Sequence, residues 1–241
     1  MIKLAFSGRL RAGKDHLAKE MGCRVVSIAD PIYILSEHFL GSSDKDRPDV
    51  RKHLQLIGSW GIGLTEEAPE GIPDRRTVTN FIRNKARTVL PREYHDVAWE
   101  KFGQEEGLWV KATLLRTDRM MAESPLIPLA IVNARFSSQV DAFKAADFTH
   151  LHVRCSPETR KGRVGPSYDP KMDQDSTELM SIGFDKTLTG KAVVWNDHVA
   201  PPHGSDFLSV AEAIAKYTPL SLPPEPAQHR HLSPSQSRAL V

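Results

Sequence analysis

The chain has little of what marks secreted, membrane-spanning or zinc-stabilised proteins. It contains only two cysteines among 241 residues, so neither a disulfide framework nor a zinc site is expected, and the reducing cytoplasm is the predicted compartment. Cys23 and Cys155 each border an apolar run and are expected to be buried thiols. The apolar run at residues 2–6 is too short for a signal peptide or a membrane span, so no membrane association is predicted.

A strong excess of one charge is also missing. The 32 Lys and Arg residues and the 30 Asp and Glu residues leave a formal net charge of +2. Proteins that bind nucleic acid over their whole surface are usually more basic, so anion recognition is expected to be local. The excess of Arg and Lys between Arg75 and Arg92 still leaves a nucleic-acid partner open. With 40% hydrophobic and 26% charged residues, the composition is that of a globular protein.

Short apolar runs alternate with segments of helical periodicity. Five runs predict strands, at residues 2–6, 23–29, 128–132, 149–154 and 191–195. Helices are predicted at residues 15–21, 47–60, 137–146, 156–163 and 207–217, with two or three more across 78–123. This alternation predicts an α/β fold with a parallel sheet and right-handed crossovers. In such sheets ligands bind beyond the carboxyl ends of the strands, where the sequence has Gly8, Asp30, Asn133, Arg154 and Asn196.

Directly after the first predicted strand, the glycine loop (residues 8–13) and Lys14 match the pattern G-x-x-x-x-G-K. Glycines let the backbone N–H groups wrap an anion, the lysine reaches the β- and γ-phosphates, and the following helix adds its dipole. The strand before the loop and the helix after it are the context that this motif requires. We therefore predict a nucleotide-phosphate site, with ATP as the expected nucleotide, whose binding residues are Gly8, Arg11, Ala12, Gly13, Lys14, Asp15 and His16.

Asp15 occupies the position at which the motif has a serine or threonine that binds Mg²⁺. A carboxylate can hold Mg²⁺ directly or through water, because this ion prefers hard oxygen ligands and keeps several of its waters. Asp15 could instead only stabilise the N-terminus of the helix that follows. Both interpretations stay open, and Asp15 is the candidate metal ligand.

The loop variant Gly13-Lys14-Asp15, followed by Ala29-Asp30-Pro31, resembles that of the deoxynucleoside monophosphate kinases of bacteriophages. Further segments resemble those of this family in the same order. They are a glutamine–glycine–tryptophan helix end at 54–60, a Trp-Val segment at 108–110 and a strand end of the V-x-D-x-R-F type at 131–136. A Ser-Glu element follows at 176–178 and an Asn-Asp-Gly-like element at 195–197. The resemblance covers most of residues 1 to 217. The sequence departs from the family pattern at Asn133, Gln139 and His198, where aspartate, glutamate and glycine are usual.

The resemblance implies a P-loop nucleoside monophosphate kinase-like fold, in which a five-stranded parallel sheet is flanked by helices in three layers. It implies one kinase domain over residues 1–218, with a helical acceptor-binding insertion at about 40–123 and a lid at about 156–180. The expected reaction transfers the γ-phosphoryl of MgATP to a deoxynucleoside 5′-monophosphate, giving the diphosphate for phage DNA synthesis in the host cytoplasm. A homodimer is also implied. Residues 219–241, rich in Pro, Ser, Gln and His, predict a disordered tail.

Phosphoryl transfer depends on positioning and charge compensation, which arginines supply because a guanidinium binds phosphate oxygens in pairs. We expect the acceptor to contact Asp30, Arg47, Arg51, Trp60, Arg75, Arg76, Trp109, Arg135 and Glu178. For the two tryptophans the alternative is core packing. Arg154, Arg160 and Arg163 are expected to reach ATP when the lid closes and excludes water. The predicted catalytic residues are Lys14, Asp30, Arg135, Arg160 and Arg163.

Asp30 separates two classes of acceptor. A phosphate acceptor is already ionised at neutral pH and needs no general base, whereas a hydroxyl acceptor needs one. We interpret Asp30 as a group that orients ribose or Mg²⁺, with helix capping as the alternative. A kinase for dephospho-coenzyme A or for a modified base in phage DNA is therefore a second hypothesis, and a non-catalytic nucleotide-binding module is a third.

Overall fold

The computed structural model describes residues 1–44, 47–105, 107–168 and 192–218, which build an α/β fold around a parallel sheet. The strands are β1 (Lys3–Ser7), β2 (Arg24–Ser27), β3 (Leu129–Ala134), β4 (Thr149–Arg154), β5 (Val193–Trp195) and β6 (Leu208–Ser209). Their order across the sheet is β2-β3-β1-β4-β5-β6, and every neighbouring pair is parallel. The predicted parallel sheet is thereby confirmed, and the carboxyl ends of its strands meet at one edge.

The described residues form six strands rather than the five that were predicted. Residues 207–217 carry a helical pattern, but Leu208 and Ser209 pair with Val194 and Trp195 of β5 before the helix begins. A strand of two residues is too short to show a periodicity in the sequence. Whether it forms is therefore determined by pairing with the neighbouring strand and not by the local sequence. The five-stranded prediction is therefore wrong.

Eight α-helices lie in the described part of the chain. They are α1 (Lys14–Glu20), α2 (Asp30–Leu40), α3 (Pro48–Gly61), α4 (Arg75–Val89), α5 (Leu108–Glu123), α6 (Ser137–Ala145), α7 (Pro157–Val164) and α8 (Val210–Tyr217), with short 3₁₀ turns at Arg92–Tyr94, Trp99–Lys101 and Gly165–Ser167. Local capping explains several helix starts. Asp74 Oδ1 accepts a hydrogen bond of 2.8 Å from the Thr77 N–H at the start of α4, and Ser209 with Glu212 forms a capping box before α8.

Helices cover both faces of the sheet, because successive residues of a strand point to opposite sides. Leu4 and Phe6 of β1 pack with α1 and α8 on one face, while Ala5 packs with the helices of the other face. That second core continues through α2 to α6 and contains the buried rings of Trp60, Trp99, Phe102 and Trp109. Helices α3 to α5 lie between β2 and β3 in the chain, within the predicted insertion at about 40–123.

None of the helices in these ranges combines the length and the apolar composition that a bilayer crossing requires. Some predictions fall on residues that the structure does not describe. The predicted tail at residues 219–241 lies outside the described residues, and so does the predicted lid beyond Tyr168.

Candidate functional site

The glycine loop joins β1 to α1 with a backbone that only glycine permits at its two ends. Gly8 and Gly13 have φ angles of 139° and 94°, and Arg11 between them has a φ of 60°. A Cβ atom on Gly8 would lie 2.3 Å from the Val153 carbonyl oxygen, and one on Gly13 would lie 2.2 Å from Asn196 Nδ2. Both glycines of the predicted motif are therefore required by close approach as well as by backbone conformation.

Lys14, the first residue of α1, turns its ammonium back over this loop. Its side chain is buried, with a residue exposure of 6%, and Nζ donates hydrogen bonds of 2.8 Å to the Gly8 carbonyl and 2.9 Å to the Arg9 carbonyl. The Ala12 N–H closes the loop with a bond of 3.1 Å to the same Arg9 carbonyl. A buried ammonium and the N-terminus of α1 thus meet at one point, which favours an anion there.

Helix α7 and the residues after β5 hold the loop from outside. Arg163 Nη1 donates to the carbonyls of Arg11 and Ala12, each at 3.1 Å, and Nη2 donates to the Asn196 carbonyl at 3.0 Å. Asn196 Nδ2 adds a bond of 2.9 Å to the Ala12 carbonyl. Arg163, predicted to act on ATP, is therefore engaged with the carbonyls of the glycine loop in this structure.

Asp197 fixes the start of α7 against the end of β5. Its Oδ2 accepts from the Ser156 N–H and its Oδ1 from the Thr159 hydroxyl, each at 2.6 Å. Although burial raises the pKa of Asp197, the hydrogen bonds from Ser156 and Thr159 outweigh it and hold that pKa well below its ordinary value. The carboxylate is therefore ionised at neutral pH, and it positions the helix that carries Arg160 and Arg163.

Two cavities share Trp195 in their walls, and one of them opens next to the glycine loop. The nearer one has a volume of about 200 Å³ and is lined by Arg9, Ala12, Val153, Arg154, Cys155, Pro157, Arg160 and Trp195. The larger one, of about 520 Å³, includes the apolar side chains of Val199, Pro201 and Phe207. The guanidinium carbon of Arg154 lies 5.1 Å from the centre of the Phe207 ring, and Arg160 has an exposure of only 4%. The predicted ATP contacts Arg154 and Arg160 therefore border a cavity beside the loop.

Behind the loop, three polar side chains are buried between β1 and β4. Ser7 Oγ lies 2.7 Å from His150 Nε2 and 2.6 Å from His152 Nδ1. Burial, together with the charges of His152 and Lys144, lowers the pKa of His150 to about 3. Ser7 immediately precedes Gly8, so this hydrogen-bonded group supports the base of the glycine loop.

Asp30 begins α2 at the carboxyl end of β2 and is held by an arginine that sequence reasoning missed. Its Oδ2 accepts from the Ser27 N–H at 3.1 Å and forms a very short hydrogen bond with Arg116 Nη1, which also donates to the Tyr94 hydroxyl at 2.8 Å. Burial raises the pKa of Asp30, and the charge of Arg116 opposes that rise. Arg116 lies in α5, 86 residues away in the chain, and no local motif marks it.

The charges of four predicted residues act on the phenol of Tyr33, which follows Asp30 on α2. Burial raises the pKa of this hydroxyl; the charges of Arg135 and Arg51 act to lower it, and those of Asp15 and Asp30 to raise it. Asp15 from the start of α1, Arg51 from α3 and Arg135 from the end of β3 therefore lie near enough for their charges to act on one half-buried side chain. Sequence reasoning missed Tyr33, although its position three residues after Asp30 places both on one helix face.

The end of β3 is shaped by Asn133 and Gln139, two positions at which the sequence departs from the pattern of the phage kinases that it resembles. Asn133 has a φ of 68°, and its Nδ2 donates a hydrogen bond of 2.9 Å to Ser27 Oγ. Gln139 Oε1 accepts from the N–H groups of Arg135 and Phe136 at 2.9 and 3.3 Å. These contacts fix the backbone of Arg135 at the carboxyl end of β3.

Other predicted contacts lie elsewhere. Trp60 and Trp109 have exposures of 0% and 2%, and their Nε1 atoms donate to the carbonyls of Glu66 and Gly58, so neither ring offers a face to a base. Both rings occupy the core position that was the alternative to acceptor contact, because they fill the space between α3 and α5. Arg47 forms an exposed ion pair of 2.6 Å with Asp49.

Arg75 and Arg76 lie at the start of α4, with Arg75 half-buried and Arg76 exposed, and no contact to the group around Tyr33 is present in the described ranges. Glu178 lies outside the described residues. His16 and Asp15 are exposed in the first turn of α1. Within residues 1–44, 47–105, 107–168 and 192–218, no three His, Cys, Asp or Glu side chains gather as a metal site, so Asp15 is a single carboxylate ligand candidate.

Comparison with known proteins does not assign a function to the candidate site, so its interpretation depends on the geometry described above. No protein-family model matches the chain, and no curated protein matches its sequence.

Proposed function

We propose that the protein is an ATP-dependent kinase that transfers the γ-phosphoryl group to a deoxynucleoside 5′-monophosphate, in a P-loop nucleoside monophosphate kinase-like fold. The observation that carries this proposal is the buried ammonium of Lys14, held between the carbonyls of Gly8 and Arg9 at the N-terminus of α1. A buried cation, a helix N-terminus and a loop with two required glycines are the parts that bind a triphosphate. The series of sequence segments that resemble those of the phage kinases, in the same order along the chain, supports an enzyme of phage nucleotide metabolism.

On the donor side, the phosphates of MgATP would bind to the N–H groups of the glycine loop and to Lys14. To do so, Lys14 exchanges its two carbonyl partners for phosphate oxygens, which compensates the charge that develops during transfer. The exposed carboxylate of Asp15 fits a Mg²⁺ that arrives with ATP, because this ion takes one or two carboxylates together with phosphate oxygens and water. The cavity bordered by Arg154, Arg160 and Trp195 suits the nucleoside part of ATP.

On the acceptor side, Arg51 and Arg135 supply the positive charge that a monophosphate needs. The attacking phosphate oxygen is already ionised, so no side chain has to remove a proton. Asp30, fixed by Arg116 and the Ser27 N–H, is then an orienting group at the edge of the crevice. Arg160 and Arg163 of α7 would stabilise the transferring phosphoryl group once Arg163 leaves the loop carbonyls.

One observation favours a second candidate, a kinase for a hydroxyl acceptor. The second carboxylate oxygen of Asp30, Oδ1, has no hydrogen-bond partner within the described residues, and burial raises the pKa of this group. A half-buried carboxylate with a raised pKa at the mouth of a crevice can serve as a general base. Such a base would be needed only if the acceptor were a hydroxyl group.

The test is an assay of ADP production with MgATP and each acceptor in turn: the four deoxynucleoside monophosphates, dephospho-coenzyme A, and phage DNA that contains hydroxylated bases. We expect turnover with at least one monophosphate. Lys14→Ala should abolish it by removing a charge from the transition state, a loss of about 100-fold or more. Lys19→Ala is the matched control, because Lys19 lies on the same helix but is exposed. Activity with the hydroxyl acceptors alone would overturn the monophosphate assignment in favour of the second candidate.

A further inference from the structure

Tyr33 occupies the place where the candidate donor and acceptor groups meet. Strand β3 lies between β2 and β1 in the sheet, so the residues after β3 stand between α2 and the glycine loop. Tyr33 reaches this place from the first turn of α2, three residues after Asp30 and on the same face. The charges of Asp15, at the start of α1 after the glycine loop, and of Arg51 and Arg135, the candidate acceptor contacts, all act on the Tyr33 phenol.

The Tyr33 hydroxyl has no hydrogen-bond partner among the residues that the structure describes, although its ring is half-buried. The contrast is with Tyr94, which is buried and whose hydroxyl accepts a bond of 2.8 Å from Arg116. The Tyr33 oxygen is not sealed from solvent, and a phenol hydroxyl both donates and accepts hydrogen bonds. It is therefore open to a ligand that enters beside Asp30 and the end of β3.

The chemistry of that partner follows from the surrounding charges. Because burial raises the pKa of Tyr33, the phenol stays protonated at neutral pH and can donate a hydrogen bond, but it cannot accept a proton from an attacking hydroxyl. The carboxylate of Asp30 is already neutralised by Arg116. Arg51 and Arg135 add two guanidinium groups whose charges act on the same phenol, and such groups favour an anion that can receive hydrogen bonds from several donors.

We propose that the Tyr33 hydroxyl donates a hydrogen bond to the phosphate group of the acceptor, which Arg51 and Arg135 attract by charge. This inference rests on the proposed kinase function and deepens it, because it makes the acceptor a phosphate monoester rather than a free hydroxyl. Tyr33 then holds the attacking oxygen in place while the phosphoryl group moves, and it takes no part in bond formation or proton transfer.

The test compares the full-length protein with Tyr33→Phe, which removes only the hydroxyl, and with Tyr217→Phe, the same change in α8 on another part of the molecule. Calorimetric titrations without ATP measure binding of each deoxynucleoside monophosphate and of the corresponding nucleoside, which lacks the phosphate. Steady-state rates with MgATP then give kcat and KM for both substrates.

We expect Tyr33→Phe to weaken monophosphate binding, or to lower kcat/KM for the acceptor, by about 10- to 100-fold, the effect of one hydrogen bond to a charged group. Nucleoside binding and the KM for ATP should stay within about twofold of the wild type. Tyr217→Phe should match the wild-type protein in every measurement.

Two results would overturn the assignment of Tyr33 while leaving the kinase proposal intact. Either Tyr33→Phe matches Tyr217→Phe, so that the hydroxyl contacts no substrate, or it weakens nucleoside and monophosphate equally, so that Tyr33 contacts sugar or base. If the wild-type protein neither binds nor phosphorylates any monophosphate, the proposed function fails, and the assignment of Tyr33 fails with it.

Discussion

Replacing His53 by leucine should make the protein less sensitive to acid, because this histidine is fully buried between α2 and α3. Its exposure is 0%, its Nδ1 lies 3.2 Å from Ser36 Oγ, and its ring meets the edge of Phe39. Its Nε2 is buried with no hydrogen-bond partner in the described residues. No counter-charge to an imidazolium at this position is found in the described part of the chain, so protonation must overcome the cost of burial.

The size of the effect follows from the pKa. Burial lowers the pKa of His53 from 6.5 to about 4. The unfolded chain takes up this proton near pH 6.5 and the folded chain only near pH 4, so the free energy of unfolding falls as the pH drops through that window. At about 1.4 kcal/mol per pKa unit the full loss is about 3 kcal/mol, of which about 2 kcal/mol has occurred by pH 5.

Urea unfolding at pH 7.5 and at pH 5 measures this loss directly. The wild-type protein should lose about 2 kcal/mol more than His53→Leu between the two pH values. His203→Leu, which removes an exposed histidine, should behave like the wild type. His150 adds its own acid sensitivity to all three proteins, because its pKa is also lowered, to about 3. An equal loss of stability in the wild type and in His53→Leu would refute the reasoning from burial.

Two further predictions concern the candidate site. Arg116→Gln should lower kcat by about tenfold or more, because it frees the carboxylate of Asp30. Arg119→Gln, which breaks an exposed ion pair on the same helix, should leave kcat unchanged. If both variants change kcat equally, the role assigned to Arg116 is contradicted. N-ethylmaleimide should modify Cys155, which borders the cavity beside the glycine loop, before Cys23, whose pKa burial raises to about 12. MgATP should slow the Cys155 reaction in a mass-spectrometric time course, and an unchanged rate would contradict nucleotide binding in that cavity.

The parts of the site that the sequence could predict are those encoded locally. The glycine loop depends on a strand, two glycines and a helix within a few residues, and strand ends follow directly from apolar runs. Gly8, Lys14, Asp30 and Arg135 could therefore be identified before any contact was known. The parallel arrangement of the strands then places them at one edge of the sheet.

The parts that the sequence could not predict depend on distant pairing. Arg116 has meaning only opposite Asp30, and β6 exists only because β5 offers it a partner. Trp60 and Trp109 illustrate the reverse case, since tryptophan suits both a core and a base-binding surface, and only packing between α3 and α5 decides between them. Tyr33 is intermediate, because its position relative to Asp30 was readable but the arginines around it were not.

The most direct test of phosphoryl transfer is a phosphorus NMR time course with MgATP and one deoxynucleoside monophosphate, with Lys14→Ala run in parallel. This measurement separates transfer from ATP hydrolysis, because it identifies the product that receives the phosphoryl group. We expect the wild-type protein to form ADP and the deoxynucleoside diphosphate in equal amounts, and the variant to form neither. ADP accompanied by inorganic phosphate, or no turnover with any of the four monophosphates, would contradict the proposed kinase.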